Sequence, residues 1–275
     1  MGILFGLALC GLYLLLYHLR KAKGETDDSK AYLALGRGEV AEGPFGRRWL
    51  PPLLCKDKLW RWKALSWGST MVAAATIGYL WGWKGVVLYL GCSSLARIPM
   101  VIPILVDAPA FALALLATIL PFPLNLFCIL VAGMCKESAP VMAAAWTLNP
   151  LYLLGLLGVR WLHPRVVSEK VVYNTPAWQL PSYFIPFHPW FSWHAMLFPW
   201  GALALLVPVG LGLGAPWEAA ILSLLCSYGS LLFAVDRARL YQWALPALIP
   251  VALTCPDWLI FPLLIPHVMN PSKEV

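Results

Sequence analysis

The chain has 275 residues, of which 60% are hydrophobic and only 12% charged, and its formal net charge is +7. A soluble domain of this size is about half apolar and a quarter charged, so this composition excludes a single water-soluble core and indicates lipid as the solvent of much of the surface. Long unbroken apolar runs favour helices over barrel strands, in which apolar and polar residues alternate. The sequence therefore predicts an all-α, polytopic integral membrane protein. Its excess Lys and Arg are typical of contact with anionic membrane lipids rather than nucleic acid.

The apolar segments predict one membrane domain. Its regions, in chain order, are a first transmembrane helix (1–19), a polar first loop with an interfacial helix (20–68), transmembrane helices (69–162), an aromatic loop (163–192) and C-terminal transmembrane helices (193–275). The interfacial helix is predicted at 49–67, where Trp and Leu alternate with Lys and Arg. Prolines break many apolar runs, so we expect roughly seven to nine spanning or broken helices.

The first cluster of candidate residues opens the polar loop. Two adjacent carboxylates, Asp27 and Asp28, precede a short helix-like stretch that includes Tyr32. An aspartate at a helix start is commonly an N-cap in a solvated loop. The alternative is a general base held just above the bilayer, where a carboxylate removes a proton from an acceptor hydroxyl. The residues alone leave both interpretations open.

Two arginine pairs form further clusters. Arg47 and Arg48 lie in the first loop, and Arg237 and Arg239 open a late apolar segment. A basic anchor for lipid head groups explains Arg47 and Arg48, and a charged turn at the membrane interface explains Arg237 and Arg239. Each pair is equally explained by guanidinium groups that bind a phosphate, a role that Arg suits better than Lys.

A charged break separates two apolar segments at Lys136 and Glu137, and Asp107 precedes another apolar helix. Adjacent side chains point in different directions on a helix, so Lys136 and Glu137 are not necessarily bonded to each other. A short loop and an N-cap explain these residues structurally. Ionisable groups at membrane depth are costly, however, which also makes them functional candidates. The five histidines have no metal-ligand spacing, and no glycine-rich phosphate loop occurs, so we expect neither a metal nor a cofactor.

The order of these clusters resembles the GT-C-type superfamily, polytopic glycosyltransferases that use lipid-phosphate-linked sugars. The pattern Asp-x-x-x-Tyr-Leu-Ala-Leu is found here from Asp28 to Leu35, and Pro-Phe-x-x-Arg-Trp-Leu-x-Pro-Leu from Pro44 to Leu53. The stretches 136–140 and 237–246 are also similar to segments of bacterial members. The resemblance runs over most of the chain, which is short for the family.

The resemblance implies inverting transfer of a sugar from a polyprenyl-phosphate donor to an acceptor hydroxyl, in a bacterial cytoplasmic membrane. It implies that Asp28, or else Asp27, is the catalytic base, and the candidate cations at the donor phosphate are Arg47, Arg48, Arg237 and Arg239. The family places the first loop outside or in the lumen, whereas its about eleven Lys and Arg favour the cytoplasm, so the orientation stays open.

Two other functions remain alternatives. A non-catalytic scaffold or assembly subunit of a larger complex would use the Trp-rich surfaces to contact membrane protein partners. A transporter predicts an internal repeat, with broken helices at matching places in its two halves, and the sequence shows no such repeat.

Overall fold

The computed structural model of the chain describes residues 1–18, 27–39, 48–91, 95–96, 99, 102–157, 200–230 and 242–269. Within these ranges the regular structure is helical and no strand occurs, which confirms the all-α class. In chain order the helices are α1 (Gly2–His18), α2 (Asp27–Gly36), α3 (Leu50–Cys55), α4 (Leu59–Gly91), α5 (Asp107–Ala117), α6 (Leu124–Cys135), α7 (Ser138–Thr147), a 3-10 helix (Pro150–Leu154), α8 (Leu203–Gly212), α9 (Glu218–Gly229), α10 (Leu245–Ala252) and α11 (Asp257–Met269).

Helix α4 is the longest described element, with 33 residues. Of the helices in the described ranges, it is the one that is long and apolar enough to cross a bilayer, judged by length and composition. At Gly82, whose φ of 66° glycine adopts without a Cβ clash, the helix is interrupted and the chain folds back. A Cβ on Gly85 would lie 3.4 Å from the Ile77 side chain, and one on Gly78 would lie 3.2 Å from the Val86 side chain, although residues eight apart are about 12 Å apart in a straight helix. The interfacial helix expected at 49–67 is not a separate element. Helix α3 ends at Cys55, and residues 59–67 are the first turns of α4, which continues through residue 68.

The other apolar helices in the described ranges are shorter than a full span. Helices α5, α6, α8 and α9 have 11, 12, 10 and 12 residues, and a straight transmembrane helix needs roughly twenty. Proline accounts for part of this, because it lacks the N–H that continues a helix: Pro121 and Pro123 separate α5 from α6. The expected seven to nine spans therefore stay a prediction.

Small residues bring α1 and α4 into backbone contact. Gly2 lies against Gly78, and Gly6 lies against Ala74, so closely that a Cβ on either α1 glycine would overlap a carbonyl oxygen of α4. Helices in lipid commonly pack in this way, since small residues let two backbones approach.

Aromatic rings join the middle helices. Tyr89 of α4 stacks on Phe111 of α5 with ring centres 5.8 Å apart, and Phe111 meets Trp146 of α7 edge-on at 5.7 Å. Trp146 in turn stacks on Trp243, 6.1 Å away, and its Nε1 donates to the Trp243 carbonyl oxygen at 2.6 Å. These contacts tie the segment before α10 to the core formed by α4, α5 and α7.

Candidate functional site

A smaller apolar cluster fixes α2 against the start of α4. The ring of Tyr32 is almost fully buried and lies 6.1 Å from the ring of Trp62, centre to centre. The other buried members of the cluster are Cys55 at the end of α3 and three residues just before α5: Ile104, Leu105 and Val106. Ser29 Oγ donates to the carbonyl oxygen of Ile104 at 3.4 Å. Helix α2, which begins with Asp27 and Asp28, is thereby held close to the N-terminal end of α5.

Arg48 joins this helix to the link between α6 and α7. Its Nε and Nη2 donate to the two carboxylate oxygens of Glu137 at 2.9 and 2.6 Å, and its Nη1 donates to the Tyr32 hydroxyl at 3.2 Å. The Arg48 and Glu137 side chains are 15% and 31% exposed. A guanidinium has five N–H donors, so about two remain on Arg48 for another acceptor.

The neighbouring Lys136 forms a second ion pair that is far more buried. Its ammonium donates to Asp107 at the start of α5, and the two side chains are 7% and 4% exposed. The ammonium also lies 5.7 Å from the centre of the Trp243 ring. Removing two charges from water is costly, and mutual attraction offsets that cost only with good geometry and further contacts. Consecutive residues thus hold two different elements: Lys136 binds α5, and Glu137 binds the segment before α3.

Burial and neighbouring charges set the protonation states in this assembly. Burial raises the pKa of Tyr32 to about 12; Arg48 opposes the rise, and the charges of Asp107 and Asp28 add to it. Burial also raises the pKa of Glu137, but the charge and hydrogen bonds of Arg48 outweigh it and lower this pKa to about 2. At neutral pH Tyr32 is therefore a neutral phenol, and Glu137 is an anion that accepts a proton poorly.

Of the ten candidates from the sequence, five lie together, two lie at the start of α2, and three lie outside the described residues. The five that lie together form two hydrogen-bonded groups, Arg48 with Tyr32 and Glu137, and Lys136 with Asp107, which are joined through the consecutive residues Lys136 and Glu137. The charge of Asp107 also acts on Tyr32, and we call these five residues the charged junction. Asp28 lies four residues before Tyr32 on α2, near enough for its charge to act on the Tyr32 hydroxyl. Asp27 is the first residue of α2, and Arg47, Arg237 and Arg239 lie outside the described residues.

Two polar groups beside the junction were missed by sequence reasoning. Trp49 Nε1 and Ser138 Oγ are buried and have no hydrogen-bond partner. They directly follow Arg48 and Glu137, the two members of the half-buried ion pair. Leaving such a group unsatisfied costs about 1–3 kcal/mol. Trp49 has the sequence pattern of an interfacial anchor and Ser138 that of a helix start, so adjacency to the charged residues was the only available signal.

The chemistry of the charged junction has to be inferred from its own geometry. Comparison of the chain with protein-family models, with curated proteins and with solved structures gave no match. Within the described ranges, no group of three His, Cys, Asp or Glu residues is placed to hold a metal ion. The junction together with Asp28 contains three carboxylates and two cations.

Proposed function

We propose that the chain is a polytopic membrane glycosyltransferase that transfers a sugar from a polyprenyl-phosphate donor to an acceptor hydroxyl. The observation that carries the proposal is the charged junction itself. Tyr32 comes from α2, Arg48 from the segment before α3, Asp107 from α5, and Lys136 and Glu137 from the link between α6 and α7. Buried ionisable groups that converge from separate segments are the usual mark of a functional site.

Two groups of aromatic and cationic side chains support a bilayer position for α4. Arg61 lies 5.4 Å from the ring centre of Trp60 near the start of the helix, and Lys84 lies 6.0 Å from that of Trp83 beyond its middle. The uncharged residues 64–82 between them extend about 29 Å at 1.5 Å per residue. This length is close to the hydrocarbon thickness of about 30 Å, and such aromatic residues are enriched at both membrane interfaces.

The charged junction lies at the N-terminal end of α4, which is one edge of that proposed span. Tyr32 packs on Trp62, and Ser66 Oγ donates to the Pro103 carbonyl oxygen at 2.5 Å, four residues before Asp107. A membrane edge is where a lipid-linked donor presents its phosphate and where an acceptor arrives from water. The position therefore suits the proposed reaction.

In the proposed reaction the acceptor oxygen forms a bond to the anomeric carbon of the donor sugar. The bond from that carbon to the phosphate oxygen breaks, and the phosphate leaves with the electron pair. Asp28 accepts the proton of the acceptor hydroxyl. Glu137 does not suit this role because Arg48 lowers its pKa to about 2. Arg48 stabilises the charge that develops on the leaving phosphate, together with Arg47, Arg237 and Arg239.

The test is Asp28→Asn, assayed as sugar transfer in membranes that contain the full chain and a panel of polyprenyl-phosphate hexoses. Loss of the base is expected to lower transfer at least about 100-fold, with unchanged membrane insertion. Asp57→Asn is the matched control, because Asp57 is an exposed carboxylate of the same first loop, 3.5 Å from Lys58. Transfer that survives in Asp28→Asn, or that is lost equally in both variants, rejects the role of Asp28.

A non-catalytic membrane subunit is the second candidate, and one observation favours it. Both cations of the charged junction are already bonded to carboxylates, Arg48 to Glu137 and Lys136 to Asp107. Such pairs can hold helices together without any substrate. Stable copurification with one membrane partner in mild detergent, and persistence of that complex in Asp28→Asn, would favour this function over sugar transfer.

A further inference from the structure

We infer that the Arg48–Glu137 pair is the resting form of a phosphate subsite, in which the phosphate displaces Glu137 from Arg48 and also binds Ser138 and Trp49. The inference rests on the proposed function and deepens it. It assigns Glu137 as an internal competitor of the donor phosphate. It also adds Ser138 and Trp49 as phosphate ligands.

The geometry of the ion pair is the first argument. Glu137 meets the Arg48 fork through two N–H···O bonds of 2.6 and 2.9 Å, one to each carboxylate oxygen. Two oxygens of a phosphate match the same fork, which is why arginine binds both groups in the same bidentate way. The Glu137 side chain is 31% exposed, whereas Lys136 and Asp107 are 7% and 4% exposed. Of these two pairs, only the Arg48–Glu137 pair is accessible to a solute.

Two unsatisfied groups next to the pair in sequence are the second argument. Buried polar atoms are almost always hydrogen-bonded, yet Trp49 Nε1 and Ser138 Oγ are not. An indole N–H can only donate, so its complement has to be an acceptor. Trp49 directly follows Arg48, and Ser138 directly follows Glu137. In the inferred subsite, an acceptor that enters between Arg48 and Glu137 reaches both groups.

The ligand class follows from what can replace a carboxylate. A sugar hydroxyl accepts hydrogen bonds but carries no charge to compete with Glu137 for a guanidinium. A phosphate carries the charge and offers several acceptor oxygens. It can satisfy Arg48, Trp49 and Ser138 together. When a phosphate replaces Glu137 on Arg48, the guanidinium still faces an anion. The displaced Glu137 side chain is itself 31% exposed.

Binding of farnesyl phosphate to the full chain in lipid nanodiscs tests the inference. Glu137→Gln is expected to tighten binding about tenfold, because a neutral amide holds Arg48 less strongly and leaves more of the protein competent to bind. Ser138→Ala and Trp49→Phe are each expected to weaken binding about three- to tenfold, the effect of one lost hydrogen bond. Neither of these two substitutions should lower the thermal midpoint, since each removes an unsatisfied group.

Ser223→Ala is the matched control. Ser223 lies on α9, which packs against α7, and its Oγ is also buried without a hydrogen-bond partner, but it is not adjacent in sequence to Arg48 or Glu137. Its substitution should match Ser138→Ala in stability and leave farnesyl phosphate binding unchanged. Inorganic phosphate and farnesol form the other arms. If inorganic phosphate responds to the variants as strongly as farnesyl phosphate, the subsite takes a free phosphate. Farnesol binding should not respond to any of them.

Unchanged or weaker binding in Glu137→Gln overturns the inference, as does equal binding in Ser138→Ala and Ser223→Ala, or no phosphate binding by any form. If Glu137→Gln does not fold, Glu137→Asp supplies the same comparison, because its shorter arm loosens the two-point contact while keeping the charge. The proposed function fails separately: an inactive chain that still shows tighter binding in Glu137→Gln would keep the phosphate subsite and lose the sugar transfer.

Discussion

Two lysine–carboxylate pairs lie beside aromatic rings, one in the charged junction and one next to Gly82 of α4, and they differ in burial. In the charged junction, Lys136 and Asp107 are 7% and 4% exposed, and the Lys136 ammonium lies against the Trp243 ring. Two residues after Gly82, Lys84 pairs with Asp257, and these side chains are 25% and 61% exposed. An exposed pair contributes about 0–1 kcal/mol and carries little desolvation cost. A buried pair is often no more stable than an apolar replacement, so its presence calls for a reason other than stability.

Breaking the buried pair is expected to have the largest effect. Lys136→Met should lower the free energy of unfolding by about 3–5 kcal/mol, because it leaves the Asp107 carboxylate buried without its cation. Thermal or denaturant unfolding in detergent measures this change. The double variant Lys136→Met with Asp107→Leu should recover most of the loss, since it removes both charges. Equal loss in the single and double variants would contradict the assignment of the cost to an unpaired charge.

The Arg48–Glu137 pair should make the free energy of unfolding depend on pH. The pKa of Glu137 in the folded protein is about 2, below its ordinary value of 4.5. The contribution of this group is therefore complete above pH 4.5 and is lost as the pH falls from 4.5 towards about 2. Across that window the wild type should lose about 1–2 kcal/mol more than Glu137→Gln, a value reduced by solvent screening. Parallel pH profiles for the two proteins would contradict the pairing.

The sequence predicted the members of the charged junction better than their partners. Charged residues in an apolar chain are conspicuous, which is why Arg48, Asp107, Lys136 and Glu137 were all candidates. Adjacent side chains on a helix diverge, so separate partners for Lys136 and Glu137 could also be anticipated. The pairing itself could not. Arg48 and Glu137 are 89 positions apart, and such a contact depends on how helices pack rather than on any local pattern.

The predicted interfacial helix shows a second reason why the fold could not be fully predicted from the sequence. Trp and Lys near 59–67 favour an interface, and that pattern is the same whether a helix lies on a bilayer or begins to cross it. The sequence predicted a separate helix that lies on the bilayer, whereas in the structure residues 59–67 are the first turns of α4. Composition marks the depth of a residue, whereas the direction of the helix follows from its packing against α1 and α5.

The exposed pair is expected to give the smallest effect and is the sharpest check on the comparison. Lys84→Met removes an ion pair with Asp257 and a contact of 5.3 Å to the Phe261 ring, and together these should change the free energy of unfolding by at most about 1 kcal/mol. Raising the salt concentration should reduce even this difference, because exposed charges are screened within about 10 Å at 0.1 M. If Lys84→Met were as destabilising as Lys136→Met, burial would not distinguish the two pairs. The functional interpretation of the charged junction would then lose its energetic basis, since a pair with no proposed role would contribute as much as one at its centre.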